Sequence, residues 1–238
     1  MDSQDLIVRL YQLIRDDHPD RPMERWHASA IAQCPRSIYY ARSNIARTSP
    51  MTTGIEIRYQ VGHEVEKFLR PYLEQMMPDL ESNVRLSSDK LDLTGEYDNF
   101  DPKTNTLWEV KSVHPQAVRY RKVSEDSYNL RDDQAYLSHQ WQNHAYVLLL
   151  AEQNITVKEI GYIYVSLSGL VVTYKYPVNQ QILKDVTDRI ERLNTYWSRQ
   201  QLPPCFCADT EHQFYKSTMQ YCDYKTATGC CEESLWQK

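Results

Sequence analysis

The sequence predicts an α/β protein built on one mixed β-sheet flanked by helices. Two observations lead there. The apolar spacing switches between the helical period and the strand period, and the order that results is opening helices, three strands, a helix, two strands and a closing helix. Strands interleaved with helices bury their apolar faces by layering the helices over a shared sheet. A third observation concerns size: 238 residues at 41% hydrophobic and 25% charged suffice for a sizeable core.

The elements follow in order. Residues 2–16 place Leu6, Ile7, Leu10, Leu13 and Ile14 at helical spacing, which predicts an amphipathic opening helix. Cys34-Pro35 reads as a helix start, with proline at the first helical position and Ile38, Tyr39 and Tyr40 behind it. A longer helix is predicted over 54–76, from Gly54 to just before Pro78. The period then changes. Val84-Arg85-Leu86 and Leu91-Asp92-Leu93 alternate, Gly95 to Phe100 continues as a strand, Asp101 to Asn105 supplies turn chemistry, and Leu107 to Val113 returns. Residues 133–153 form a helix ending in Val147 to Leu150, strands 159–167 and 170–176 pair through Ser168-Gly169, and 179–200 is again helical. With only six glycines and no linker-like stretch, residues 1–238 read as one domain in three parts. These are a helical segment carrying Cys34 (1–53), the core (54–176), and a closing helix with a cysteine-rich tail (177–238).

Charge excludes one class of function. Lys and Arg number 27 against 32 Asp and Glu, a formal net charge of −5, so the chain does not coat nucleic acid by bulk charge. A local basic groove stays open. No window approaches the ~18 apolar residues of a membrane span, and Met1 to Asp5 lacks the start of a secretory signal, so a cytoplasmic protein with no membrane partner is expected.

The chemistry concentrates in the central hairpin: Gly95-Glu96-Tyr97-Asp98, ten residues, then Glu109-Val110-Lys111. Positions i and i+2 of a strand share a face, so Glu109 and Lys111 project together, between Leu107 and Val113. Taken alone, that tripeptide reads as a solvent-facing ion pair. Its surroundings change the reading. Asp98 on the adjacent strand can face Glu109 and make a pair of hard oxygen ligands for Mg²⁺ or Mn²⁺, with Lys111 beside the water or phosphate. Glu96 is the runner-up carboxylate. Gly62-His63 lies upstream on a helix, and Gln142 and Tyr146 stand four residues apart on one face of another.

In that order, Gly62-His63, Gly95-x-x-Asp98, Glu109-Val110-Lys111 and Gln142-x-x-x-Tyr146 resemble the RecB-like exonuclease branch of the PD-(D/E)XK nuclease superfamily. Cys34 before the core and cysteines after it resemble its iron-sulfur subset, which includes the AddB nuclease domain and the CRISPR adaptation nucleases. The resemblance implies a restriction-endonuclease-like core over 54–176, with the N- and C-terminal segments joined by a metal cluster. It implies that His63, Asp98, Glu109 and the Val110 carbonyl hold the divalent metal. It further implies that Lys111 orients the nucleophilic water, and that Gln142 and Tyr146 contact DNA or support the site. The activity implied is metal-dependent DNA hydrolysis, with an exonuclease favoured over an endonuclease. Its substrate would be DNA ends or single strands in recombination, replication or DNA degradation, in the host cytoplasm if the gene is a phage's. A homo-oligomer, ring-shaped or otherwise, is compatible with it.

The cysteines are lopsided: Cys34 stands alone, while Cys205, Cys207, Cys222, Cys230 and Cys231 crowd the end of the chain. Clustered thiols in a reducing compartment read as metal ligands. The resemblance assigns Cys34, Cys207, Cys222 and Cys230 to a [4Fe-4S] cluster, with Cys205 and Cys231 as alternates. The local spacing departs from the C-x2-C common in that subset, and a structural Zn²⁺ is the competing assignment. For DNA, the densest basic stretch near the site is Arg119-Tyr120-Arg121-Lys122, where cations could hold a strand and tyrosine stack on bases. A solvated face balanced by nearby acids is the other reading of that stretch. Arg36 and Arg42 offer a second patch. The alternative function is a metal-stapled nucleic-acid-binding or adaptor protein that lacks catalysis.

Overall fold

The computed structural model describes residues 3–16, 23–48, 53–114, 136–206 and 222–224. The elements run α1 (Ser3–Asp16), β1 (Trp26–His27), α2 (Pro35–Arg42), α3 (Thr53–Met76), β2 (Glu81–Ser88), β3 (Leu93–Asp101) and β4 (Thr106–Val113). After these come α4 (Leu137–Glu152), β5 (Glu159–Ser166), β6 (Val171–Pro177) and α5 (Gln180–Ser198). Six strands form one sheet in the order β1-β3-β4-β5-β6, with β2 also pairing β3. The β2–β3, β3–β4 and β5–β6 pairs are antiparallel. β4 and β5 are parallel, as expected where a helix, here α4, carries the chain from one strand to the next. The central mixed sheet flanked by helices is therefore present.

Two faces of the sheet are covered differently. The larger core gathers Leu107 of β4, Ile160, Tyr162 and Tyr164 of β5, and Trp141, Ala145 and Leu149 of α4, with α2 and α5 packed around them. On the opposite face Leu73 of α3 packs with Val110 and Ile163, flanked by Trp108 and Val165. The alternation along β4 is thus strict: Leu107 faces α4 and Val110 faces α3.

Three local features depart from the sequence reading. Leu91 and Asp92 belong to a tight turn ahead of β3, because Asp92 takes a left-handed conformation (φ 51°) that a strand cannot hold. The short β1, absent from that reading, pairs parallel to β3 at Leu93 and Thr94. Arg42, read as part of a basic patch, is a core cation. It grips both Asp92 carboxylate oxygens, at 2.5 and 3.1 Å, and lies 4.3 Å over each of the Trp26 and Trp197 rings. Arg36 donates to the Pro203 carbonyl at 3.0 Å.

Candidate active site

The β3–β4 ladder runs through Asp101–Thr106, Phe100–Leu107 and Asn99–Trp108, and then opens. The next pair in that register is Asp98 opposite Glu109, the juxtaposition the sequence predicts. Beyond Trp108 the strand amide takes a side chain in place of its neighbour strand: Val110 N–H donates to Asp98 Oδ2 at 2.7 Å. Asp98 is half-buried where the two strands part, and the charges that act on it come from Lys111 of β4 and from His63 and Arg70 of α3.

Glu109 is fully buried, at 0% exposure, on the α4 side. Its Oε1 accepts Gln142 Nε2 at 2.7 Å and pairs with Lys111 Nζ. The same Gln142 amide donates to the Tyr146 hydroxyl at 2.9 Å, so the i, i+4 pair on α4 acts as one support beneath the carboxylate. Gly95 makes room for that support. A Cβ at this position would stand 2.6 Å from Tyr146 Cε1 and 2.9 Å from the Ala28 Cβ, which accounts for glycine three residues before Asp98.

From the other face α3 comes down on β4 at Gly62, where a Cβ would lie 3.3 Å from Ser112 Oγ. This close approach places His63 and Glu66 over the opening. His63 is largely exposed, with Nδ1 3.6 Å from Glu66 Oε2. Glu66 is the site residue that sequence reasoning missed. Its signal was the His63-x-x-Glu66 spacing, which puts both side chains on one helical face. Glu96, the runner-up carboxylate, is instead exposed on β3 opposite Arg85.

The carboxyls press on one another. Burial raises the Asp98 pKa, with Lys111 and the Val110 amide opposing. Burial and the Asp98 charge raise Glu66. Burial and then Asp98 push Glu109 up to about 8, against the pull of Lys111. For Lys111 burial acts downward, but the Glu109 and Asp98 charges outweigh it and hold the amine above its usual value. Tyr146 is held well above the ordinary phenol range by burial and by Glu109, so it stays neutral. Three carboxyls thus lie within reach of Lys111, with Arg70 and His63 of α3 acting on Asp98 from the other face, and burial still keeps each carboxyl above its ordinary value.

Among the described residues no three His, Cys, Asp or Glu side chains converge as a closed metal cage. The reason is visible at Glu109, whose Oε1 turns to Lys111 and Gln142, and at His63, which turns to Glu66. Glu109 Oε2, however, is buried with no hydrogen-bond partner. Of the predicted thiols, Cys34 and Cys205 lie together with sulfurs 3.8 Å apart, and Cys222 is buried in the same core. Cys207, Cys230 and Cys231 lie outside the described residues, as do Arg119, Tyr120, Arg121 and Lys122.

No protein-family profile and no curated relative matches the chain. Solved structures do. The crystal structure of SSO0001 superposes with a TM-score of 0.51 at 13% identity, covering 94% of this chain and 95% of that one. The alkaline exonuclease LHK-Exo from Laribacter hongkongensis gives 0.52 at 10% identity over 74% of this chain and 89% of its own. Its complex with dAMP gives 0.51 at 11% identity over the same shares. The chain has the fold of that exonuclease. No described helix is long and apolar enough to cross a membrane.

Proposed function

We propose that the protein is a divalent-metal-dependent deoxyribonuclease that hydrolyses phosphodiester bonds, working as an exonuclease on DNA ends or single strands. One observation carries the reading. A fully buried glutamate with an orphaned oxygen stands beside Asp98 and Lys111 where two strands part, in a fold shared with an alkaline exonuclease. An unsatisfied carboxylate oxygen inside a protein is costly without a function for it.

The donors suit Mg²⁺ or Mn²⁺, which favour hard oxygen ligands. Asp98 and Glu109 would hold the ion, with the Val110 carbonyl and His63 completing the set and Glu66 the added carboxylate. When bound, such an ion lowers the pKa of its water and polarises the phosphate. The chain's own residues do the rest. Gln142 fixes the Glu109 carboxylate and leaves its second oxygen available. Asp98 is held by the Val110 amide. Lys111, kept protonated, lies where it can orient a water and offset the charge that develops on phosphate. Tyr146 and Gln142, both buried, support Glu109 from the α4 side.

The test is cleavage of labelled single- and double-stranded DNA with Mn²⁺ by the parent, Asp98→Ala and Lys111→Ala. Losses of about a hundredfold or more are expected from removing groups that act on the transition state. Equal cleavage by parent and variants would overturn the assignment.

A further inference from the structure

Along α3, His63, Glu66 and Arg70 follow at i, i+3 and i+7 and share one helical face. The helix is fixed to β4 on either side of that face. Gly62, one residue before His63, is seated on Ser112, and Leu73, three residues beyond Arg70, packs on Val110, the strand neighbour of Glu109. Arg70 therefore stands at the opening, where its charge reaches Asp98.

The partners that Arg70 leaves aside are informative. Opposite charges four residues apart on a helix pair readily, and Arg70 has a carboxylate in each direction, Glu66 at i−4 and Glu74 at i+4. It takes neither. Glu66 turns to His63, and Glu74 is exposed. On the same helix Lys67 does take a nearby carboxylate, Glu64, at 3.5 Å. Among the described residues Arg70 makes no hydrogen bond and no ion pair, although it is half-buried.

A guanidinium is always charged, and its planar fork of donors matches the oxygens of a phosphate. Drawing it partly out of water with its donors unfilled has a cost that an anionic ligand offsets. Arg70 is also displaced along α3 by about 6 Å, one helical turn, from Glu66, which places it to one side of the metal-binding carboxyls. In a chain of net charge −5, DNA has to be held by individually placed cations of this kind.

We propose that Arg70 holds a backbone phosphate of the bound DNA strand, the one adjoining the scissile phosphate, and so positions the strand without acting on the reacting bond. The strand is the substrate of the nuclease reading, on which this assignment rests.

The experiment compares the full-length parent, Arg70→Gln and Arg70→Lys on a fluorescent single strand, with kcat and KM measured in Mn²⁺ and affinity by anisotropy in Ca²⁺ over about 50–200 mM salt. Arg70→Gln should weaken binding and raise KM about tenfold or more, reduce the slope of log affinity against log salt by about 0.7, the share of one single-strand phosphate, and leave kcat within about threefold. Arg70→Lys should restore the slope, because the charge is kept, and only part of the affinity, because the fork is lost. Strands in which one phosphate at a time is replaced by an uncharged methylphosphonate should bind the parent more weakly at the adjoining position and leave Arg70→Gln insensitive there. Unchanged KM and slope overturn the proposal, as does a fall in kcat at constant KM. A shifted pH dependence of kcat with an unchanged salt slope also overturns it, since Arg70 would then act only by holding Asp98 ionised. Should Arg70→Gln fail to fold, the parent's own methylphosphonate scan decides, and no loss at the adjoining position overturns the assignment. A parent that binds without cleaving removes the nuclease reading, whereas a parent that cleaves no differently from Arg70→Gln removes the Arg70 assignment alone.

Discussion

At Glu109 the protonation state links stability to function. Its carboxyl ordinarily titrates near 4.5, and burial with the neighbouring Asp98 charge pushes it up to about 8. Between those values the folded, metal-free chain holds a proton that the unfolded chain has lost. Stability therefore falls as pH rises through that window, by at most about 1.4 kcal/mol per pH unit from this one group. Glu109→Gln should remove that slope. Denaturation midpoints of parent and variant in chelator, compared at pH 5.5 and pH 8, should converge at the lower value and separate in favour of the variant at the higher. The same variant should cleave DNA about a hundredfold or more slowly if Glu109 is a ligand. Parallel pH profiles would show that Glu109 does not titrate in this way. Gly95 gives a second residue-scale expectation. A methyl there meets the Tyr146 ring at 2.6 Å, so Gly95→Ala should cost about 1–3 kcal/mol in a denaturant titration and lower activity through the displaced Tyr146.

At the scale of elements, α4 and α5 are joined by one histidine. His144 Nδ1–H donates to the Gln140 carbonyl at 2.7 Å, while Nε2 accepts the Asn179 amide at 3.0 Å. Asn179 in turn caps α5, its side chain accepting the Gln181 and Ile182 amides. Only the neutral ring can accept at Nε2, and burial holds the His144 pKa below 6.5. The contribution is therefore full above pH 6.5 and is lost as pH falls below it toward the folded-state value, opposite in sign to Glu109. His144→Gln should cost about 1–2 kcal/mol at pH 7 and lose that acid sensitivity, read as the parent–variant difference in midpoint between pH 7.5 and pH 5.5. The elements themselves were largely legible: α3, α4 and α5 and strands β2 to β6 follow the apolar periods because each lays a defined face on the core. What escaped the sequence depended on contacts across long separations. Two-residue β1 has too few side chains to show a period, and Arg42 looks like a surface base until Asp92 and two tryptophans enclose it. Glu66 was hidden for the same reason, since only the seating of Gly62 on Ser112 brings its turn of α3 to the site.

Over the whole molecule, a formal charge of −5 is unevenly placed: Glu66, Asp98 and Glu109 crowd one opening, where Lys111 and the more distant Arg70 only partly offset them. Each is raised by burial, and each of Glu66 and Glu109 further by Asp98, so the apo fold carries an electrostatic cost that a divalent cation is suited to relieve. The sequence order of Asp98, Glu109 and Lys111 made the motif readable. The opening of the ladder between them depends on strand pairing and appears only in the fold. Ligand binding to the folded state alone raises stability with ligand concentration, by about 2.7 kcal/mol at a hundredfold excess over Kd. Titrating Mn²⁺ into chelator-stripped protein should therefore raise the melting temperature of the parent, and more at pH 8 than at pH 6, where protons compete for Glu109. Asp98→Ala should show little of this rise, because it removes one of the carboxylates proposed to hold the ion and also lowers the pressure on the other two carboxyls. An equal Mn²⁺ shift in parent and variant would place the ion elsewhere and remove the electrostatic reason for three carboxyls, one buried and two half-buried, at this opening.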